Sequence, residues 1–192
     1  IYRCDWSSDV CSSDLVQQQT LKYFWDFGHP ISGLSRERTT TPETVTIGGS
    51  GFGIMSIVVG VSRNFITRDQ AVARLATMAS FLKNTAQNFH GAFPHWMNGS
   101  TGKVIAFSSK DDGADLVETS YLAEGLICAR EFFSNNTTSE TSLRNDINVI
   151  LNRIEWSWFT RNNQNTLYWH WSPNYDWQMN MPIKGWNECL IT

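Results

Sequence analysis

Asp115 and Glu118 stand three residues apart in "KDDGADLVET", directly ahead of an apolar helical run, so they share one face of a helix. Glu188 is the acidic side chain in the otherwise largely apolar "GWNECLI". Carboxyl groups in these settings suit general acid–base chemistry. Glycoside hydrolysis needs two of them flanking the scissile bond, one carrying a proton. Clustered acids raise one another's pKa and so help keep that proton, while a helix N-terminus favours the ionised form. The same Asp-x-x-Glu spacing is also a helix cap, and on sequence alone both readings stand. Asp111 and Asp112, just upstream, read either as ligand contacts or as loop and cap residues.

Aromatic side chains are the second signal. Five of the nine tryptophans, Trp156, Trp158, Trp169, Trp171 and Trp177, fall within 22 residues, mixed with His, Asn and Tyr. Such a run suits a surface that stacks flat rings and hydrogen-bonds their edges, as sugars require, and it equally suits a Trp-rich core corner. His95 in "FPHW" and His170 in "YWHW" sit among these rings as sugar-contacting or structural histidines would. His90, His95 and His170 show no metal-ligand spacing. "GGSGFG" at 48–53 lacks the Lys-Ser/Thr of a phosphate loop and follows a loop rather than a strand. It fits close helix packing or backbone contact with a ligand.

The elements that must position these groups are helical nearly throughout. Helices are expected at about 16–27, 52–63, from 67 onward, 115–133 and 142–159, with a sixth starting near 185. Thr67 and Gln70 have the spacing of a capping box. A short hairpin is expected around the turn 98–102, and a strand at 167–171. Odd-numbered helices are one-sided, whereas the second and fourth are apolar nearly all round. That pattern suits two concentric rings, the inner covered on both sides. The second, fourth and sixth helices then run parallel. Their N-terminal ends bring 48–53, 110–119 and 184–190 to one opening.

Charge and cysteine content remove other classes. The net charge is −3, which gives no electrostatic case for nucleic acid or an anionic membrane. The longest apolar run, 54–61, is interrupted by Ser56 and Gly60 and is far too short to span a bilayer. Residues 1–15 are polar and lack the profile of a secretory signal. From Asp5 to Leu15 they back-translate in frame to a common sequencing-adapter sequence. They are expected to be foreign to the domain at 16–192. Setting them aside removes Arg3, Asp5, Asp9 and Asp14, leaving a net charge of −1, and removes Cys4 and Cys11. Cys128 and Cys189 then read as buried thiols.

Four strings in order, "LKYFWDFGHPISGLSRER", "GGSGFGIMSIVVGVSRNFITRDQA", "FHGAFPHWMNGSTGKVIAFSSKDDGADLVETSYLAEGL" and "YWHWSPNYDWQMNMPIKGWNE", resemble the bacterial glycoamylase-like domain, which includes the endo-β-1,2-glucanases of glycoside hydrolase family 144. The resemblance implies an all-α (α/α)6 barrel, inverting hydrolysis of β-1,2-glucan without a cofactor, a monomeric parent enzyme and a periplasmic or secreted location. It implies that Glu188 is the general acid and that Asp115 and Glu118 are needed for activity and substrate positioning. It also places His95, Trp96, Tyr168, Trp169, His170, Trp171 and Trp177 along the glucan cleft, with Arg36, Arg38, Asp111, Asp112 and Trp186 as further substrate contacts. A full barrel needs about twelve helices, so 16–192 is expected to be an N-terminal half, inactive alone and with apolar inner faces uncovered. The family's general base is expected beyond Thr192. Two other readings remain: a non-catalytic carbohydrate-binding half-barrel, and another (α/α)-barrel carbohydrate-active enzyme such as a lyase or phosphorylase.

Overall fold

The structure is a computed structural model that describes residues 6–186 and 188–192. Residues 1–5, including Cys4, and Asn187 lie outside the described residues. Five helices carry the fold: α1 (Trp6–Asp26), α2 (Ile47–Ser62), α3 (Arg68–Asn84), α4 (Leu116–Phe132) and α5 (Thr138–Asn152). Three short strands, β1 (Thr44–Thr46), β2 (Trp96–Asn98) and β3 (Val104–Ile105), make one antiparallel sheet, and β4 (Ala114–Asp115) pairs with β5 (His170–Trp171). The expected hairpin is β2–β3, and β1 joins its free edge.

The helices lie in two layers. In the inner layer, α2 packs along α4. Gly48 meets the Glu118 carboxylate, and Gly51 meets the backbone at Tyr121 and Leu122, so the two helices advance in the same direction. A Cβ at Gly51 would come within 2.2 Å of the Tyr121 carbonyl oxygen, so this approach requires glycine. This is why α2 begins five residues before the expected start: "GGSGFG" is its first turns, with small residues facing α4. In the outer layer α3 packs on α5, and α1 packs on α2. The core between the layers holds Ile54, Ile57, Leu75, Leu82, Leu122, Leu126, Ile147 and Ile150.

Helix ends follow local chemistry. Thr67 and Gln70 form the complete capping box that their spacing predicts. α5 is shorter than expected. It stops at Asn152, because the chain turns away so that the Glu155 N–H can reach the His90 carbonyl, and a 3₁₀ turn (Trp156–Thr160) follows. α1 is longer than expected. It runs unbroken through 15–16, and Asp14 pairs with Arg63. In place of a sixth helix the chain forms a 3₁₀ turn at Glu188–Ile191. Outward-facing Phe52, Met55 and Val59 leave an apolar stripe on α2, with Tyr121 packed against Phe52. No helix among the described residues is long and apolar enough to cross a membrane.

Candidate active site

Backbone hydrogen bonds tie four segments together at the N-terminal ends of α2 and α4. Ile47 N–H donates to the His95 carbonyl, Asp115 N–H to Phe93, and Leu116 N–H to Trp169. The Thr119 hydroxyl accepts from the Phe93 N–H at 2.9 Å. These ties place His95, Asp115, Glu118 and Trp169 around one point.

Asp115 is buried and serves two roles at once. Its Oδ1 caps α4 by accepting from the Glu118 N–H at 2.9 Å, and it also accepts from the Trp169 indole N–H at 2.9 Å. Its Oδ2 accepts from His95 Nδ1 at 3.0 Å. The two readings of Asp-x-x-Glu therefore coexist, because the Glu118 side chain leaves its own helix. Glu118 Oε2 instead accepts from the Gly48 N–H at 2.8 Å and from the Thr46 hydroxyl at 3.4 Å. Thr46 gives α2 no side-chain cap, so Glu118 satisfies a free N–H of the α2 N-terminus from across the layer.

The electrostatics follow from this crowding. Burial pushes the Glu118 carboxyl above its ordinary value. The charge of Asp115 adds to that push, while His95 and the Gly48 N–H oppose it. Burial alone would lower the His95 imidazole, but the Asp115 hydrogen bond and the charges of Glu118, Asp115 and Asp111 outweigh it, so His95 lies above its ordinary value. The site thus sets side by side a carboxyl and an imidazole that both bind their protons more tightly than they ordinarily do.

A cavity of about 250 Å³ opens here, lined by His95, Phe107, Asp111, Asp115, Trp169 and His170 among others. Phe107 lies tilted over His95 with centroids 4.1 Å apart. Asp111 and His170 are both buried, with Asp111 Oδ1 3.0 Å from His170 Nε2, and neither atom has a well-formed hydrogen bond within the protein. Buried polar atoms in that state suit the hydroxyls of a ligand. The ligating atoms of His95, Asp111 and Asp115 lie within 4.8 Å of one another, a spacing that would also accept a cation. Both Asp115 oxygens are already held by protein donors, so a cation would have to compete with Trp169, His95 and the α4 cap.

Glu188 lies beside the same helix. Its carbonyl accepts from the Tyr121 hydroxyl at 3.1 Å, and Tyr121 sits one turn along α4 from Glu118. Glu188 is solvent-exposed, and the charges of Glu188 and Glu118 both act on the Tyr121 phenol. All three candidate acids are therefore associated with the first two turns of α4.

The other candidates separate. Trp96 packs edge-on against His95 and Phe107, at the cavity's side. Asp112 accepts from the Ser172 hydroxyl and, at 2.6 Å, from the Asn174 amide, which pins the 172–176 turn. Arg36 donates to the Pro42 carbonyl at 3.0 Å, and Arg38 pairs with Glu37, both within the 36–44 turn. Tyr168, Trp171 and Trp177 belong to a second aromatic group, where Tyr168 packs on Trp177 and Trp171 meets Phe89, His90 and Trp158. Trp186 is 92% exposed. Sequence reasoning missed Phe107 and the Thr46–Gly48 cradle. The glycine pattern pointed to close packing but not to its partner.

No family model matches the chain. A curated relative, the exo-β-1,2-glucooligosaccharide sophorohydrolase (non-reducing end) of Parabacteroides distasonis, is 44% identical over 93% of this chain. The structure of an endo-β-1,2-glucanase from Chitinophaga pinensis, in complex with sophorotriose and glucose, superposes with a TM-score of 0.88 at 48% identity over 93% of this chain. That of a β-1,2-glucanase from Parabacteroides distasonis gives 0.90 at 44% identity, again over 93%. The chain spans 25% of the curated relative and 44% and 26% of the two solved chains. Its two helical layers are thus an arc of the helical barrel that those solved proteins carry.

Proposed function

We propose that this chain, a relative of the β-1,2-glucanases over nearly its whole length, is part of a glycoside hydrolase that cleaves β-1,2-glucan with inversion. The observation that carries the reading is the convergence of Asp115, His95 and Trp169 on one cavity, with Glu118 beside Asp115 at the start of α4 and Glu188 anchored to the same helix by Tyr121. Glu188 is the general acid that protonates the leaving oxygen. Asp115, fixed by three donors, and the unsatisfied Asp111–His170 pair take sugar hydroxyls, and Trp169 and Phe107 supply ring faces. An inverting reaction also needs a base on the opposite face of the sugar. That base belongs to the remainder of an exported, monomeric parent, and the chain alone is inactive.

Replacing Glu188 with Gln in that parent tests the reading. Turnover should fall by about 10²–10⁴-fold while glucan affinity is retained. A protein that binds glucan and shows no turnover before the change is a binding module instead. One observation favours a second assignment within the same chemistry: burial holds the Glu118 carboxyl toward its protonated form. A general acid is dispensable when the leaving group is already good. An aryl β-glucoside therefore restores turnover to whichever of Glu188→Gln and Glu118→Gln lacks the true proton donor.

A further inference from the structure

We infer that the 155–177 loop carries a second sugar-binding site, separate from the acidic cavity, that holds another unit of the same glucan. This rests on the glucan reading above. A cavity of about 300 Å³ is lined by Glu155, Ser157, Trp158, Arg161, Asn163 and Trp177 among others, and it shares no residue with the cavity at Asp115. The two are neighbours: His170 lines the acidic cavity, and the next residue, Trp171, packs edge-on against Trp158 with centroids 6.2 Å apart.

Trp158 is 39% exposed, yet its ring is held in place. His90 stacks on it at 3.7 Å with planes 14° apart, and His90 Nδ1 is itself 3.1 Å from the Glu155 carboxylate. Trp177 lies tilted beside it at 6.3 Å, held edge-on by Phe159 and Tyr168. Two immobilised indoles at the wall of an open cavity offer apolar ring faces at little cost in side-chain freedom. The rim is polar and fixed as well. Arg161 lies over the Tyr168 ring and donates to Asn180 at 2.6 Å. Arg161, Asn162 and Asn163 have φ of 50°, 67° and 60°, three successive residues in the left-handed region. Single Asn residues visit that region readily, but a run of three, one of them Arg, is strained, and such strain concentrates at ligand clamps. Here it sets three consecutive polar residues, Arg161, Asn162 and Asn163, along the cavity lining. One cation and one carboxylate leave the lining without net charge, so the ligand is neutral, hydroxyl-bearing and flat-faced: a pyranose.

The test labels the chain with 5-fluorotryptophan and follows its ¹⁹F resonances. Trp158 and Trp169 are assigned from Trp158→Phe and Trp169→Phe. β-1,2-glucooligosaccharides of increasing length are then titrated. Both resonances should move with long oligosaccharides, and Trp158→Ala should weaken their binding about tenfold while leaving the disaccharide unchanged. Asn163→Gly, which removes a rim side chain and relieves its φ, should weaken long chains in the same sense. Movement at Trp169 alone overturns the second site and leaves the glucanase reading intact. Movement at Trp158 alone upholds the second site and counts against the acidic cavity as the glucan subsite. If neither moves, both fall.

Discussion

Two helix starts in this molecule share a capping residue followed three positions later by Glu, yet they diverge completely. At α5, Thr137 caps the helix and Glu140 is gripped by Arg68 from α3, at 2.7 and 2.9 Å, and by the Asn135 N–H at 2.8 Å. These bonds, Arg68 first among them, hold the Glu140 carboxyl below its ordinary value. At α4, Asp115 caps the helix and no arginine among the described residues pairs with Glu118. Its neighbours are a carboxylate, a histidine and a backbone N–H, and its pKa moves the other way. The local pattern is common to both, and the partners supplied from outside the helix decide in which direction the acid's proton affinity moves.

The comparison breaks most visibly in activity. Glu118→Gln in the intact parent protein should cut turnover by about 10²–10⁴-fold with no loss of melting temperature, whereas Glu140→Gln should leave turnover unchanged. Parallel kinetic and thermal-denaturation measurements check both, and equal losses of activity would erase the distinction. In stability the order reverses. Glu140→Ala leaves Arg68 facing an empty space and should cost about 2–3 kcal/mol in urea denaturation, below the cost of a fully buried pair because Arg68 is partly exposed. Gly48→Ala probes the α4 side without touching an acid. A Cβ there would lie 2.5 Å from Glu118 Oε2, so the carboxylate must move, and turnover should fall about tenfold. The smallest effect is in pH dependence, and its sign is opposite at the two sites. Glu140, lowered in the fold, contributes stability above about pH 4.3 that is lost as pH falls through its folded value. Glu118, raised in the fold, contributes stability at low pH that is lost as pH rises through its folded value. Denaturation midpoints against pH should therefore show a shallower acid-side decline in Glu140→Gln and a small gain above the carboxylate range in Glu118→Gln.

The layered helical plan was legible because its periodicity is strong: the apolar α2 and α4, the one-sided α5 stripe and the Thr67 capping box all lie where the pattern puts them. The Asp115–Glu118 pair was legible too, since three-residue spacing fixes a shared face. What the sequence hid is who stands opposite. Nothing in "TVTIGG" announces that Gly48 receives Glu118, and nothing in "TLYWHW" says that Trp169 points to Asp115 while Trp171 points to Trp158. The aromatic run reads as one surface in the chain and as two in space. Helix ends moved for the same reason. α2 began early because its glycines fit against α4, and α5 ended early because Glu155 bonds to His90.

Glu118 closing the start of α2 has a reach beyond its own carboxyl. An ionised oxygen accepts from the Gly48 N–H more strongly than a neutral one. Proton traffic at the opening and the fraying of a neighbouring helix are therefore one coupled equilibrium, and by reciprocity anything that clamps the first turn of that helix biases the acid toward giving up its proton.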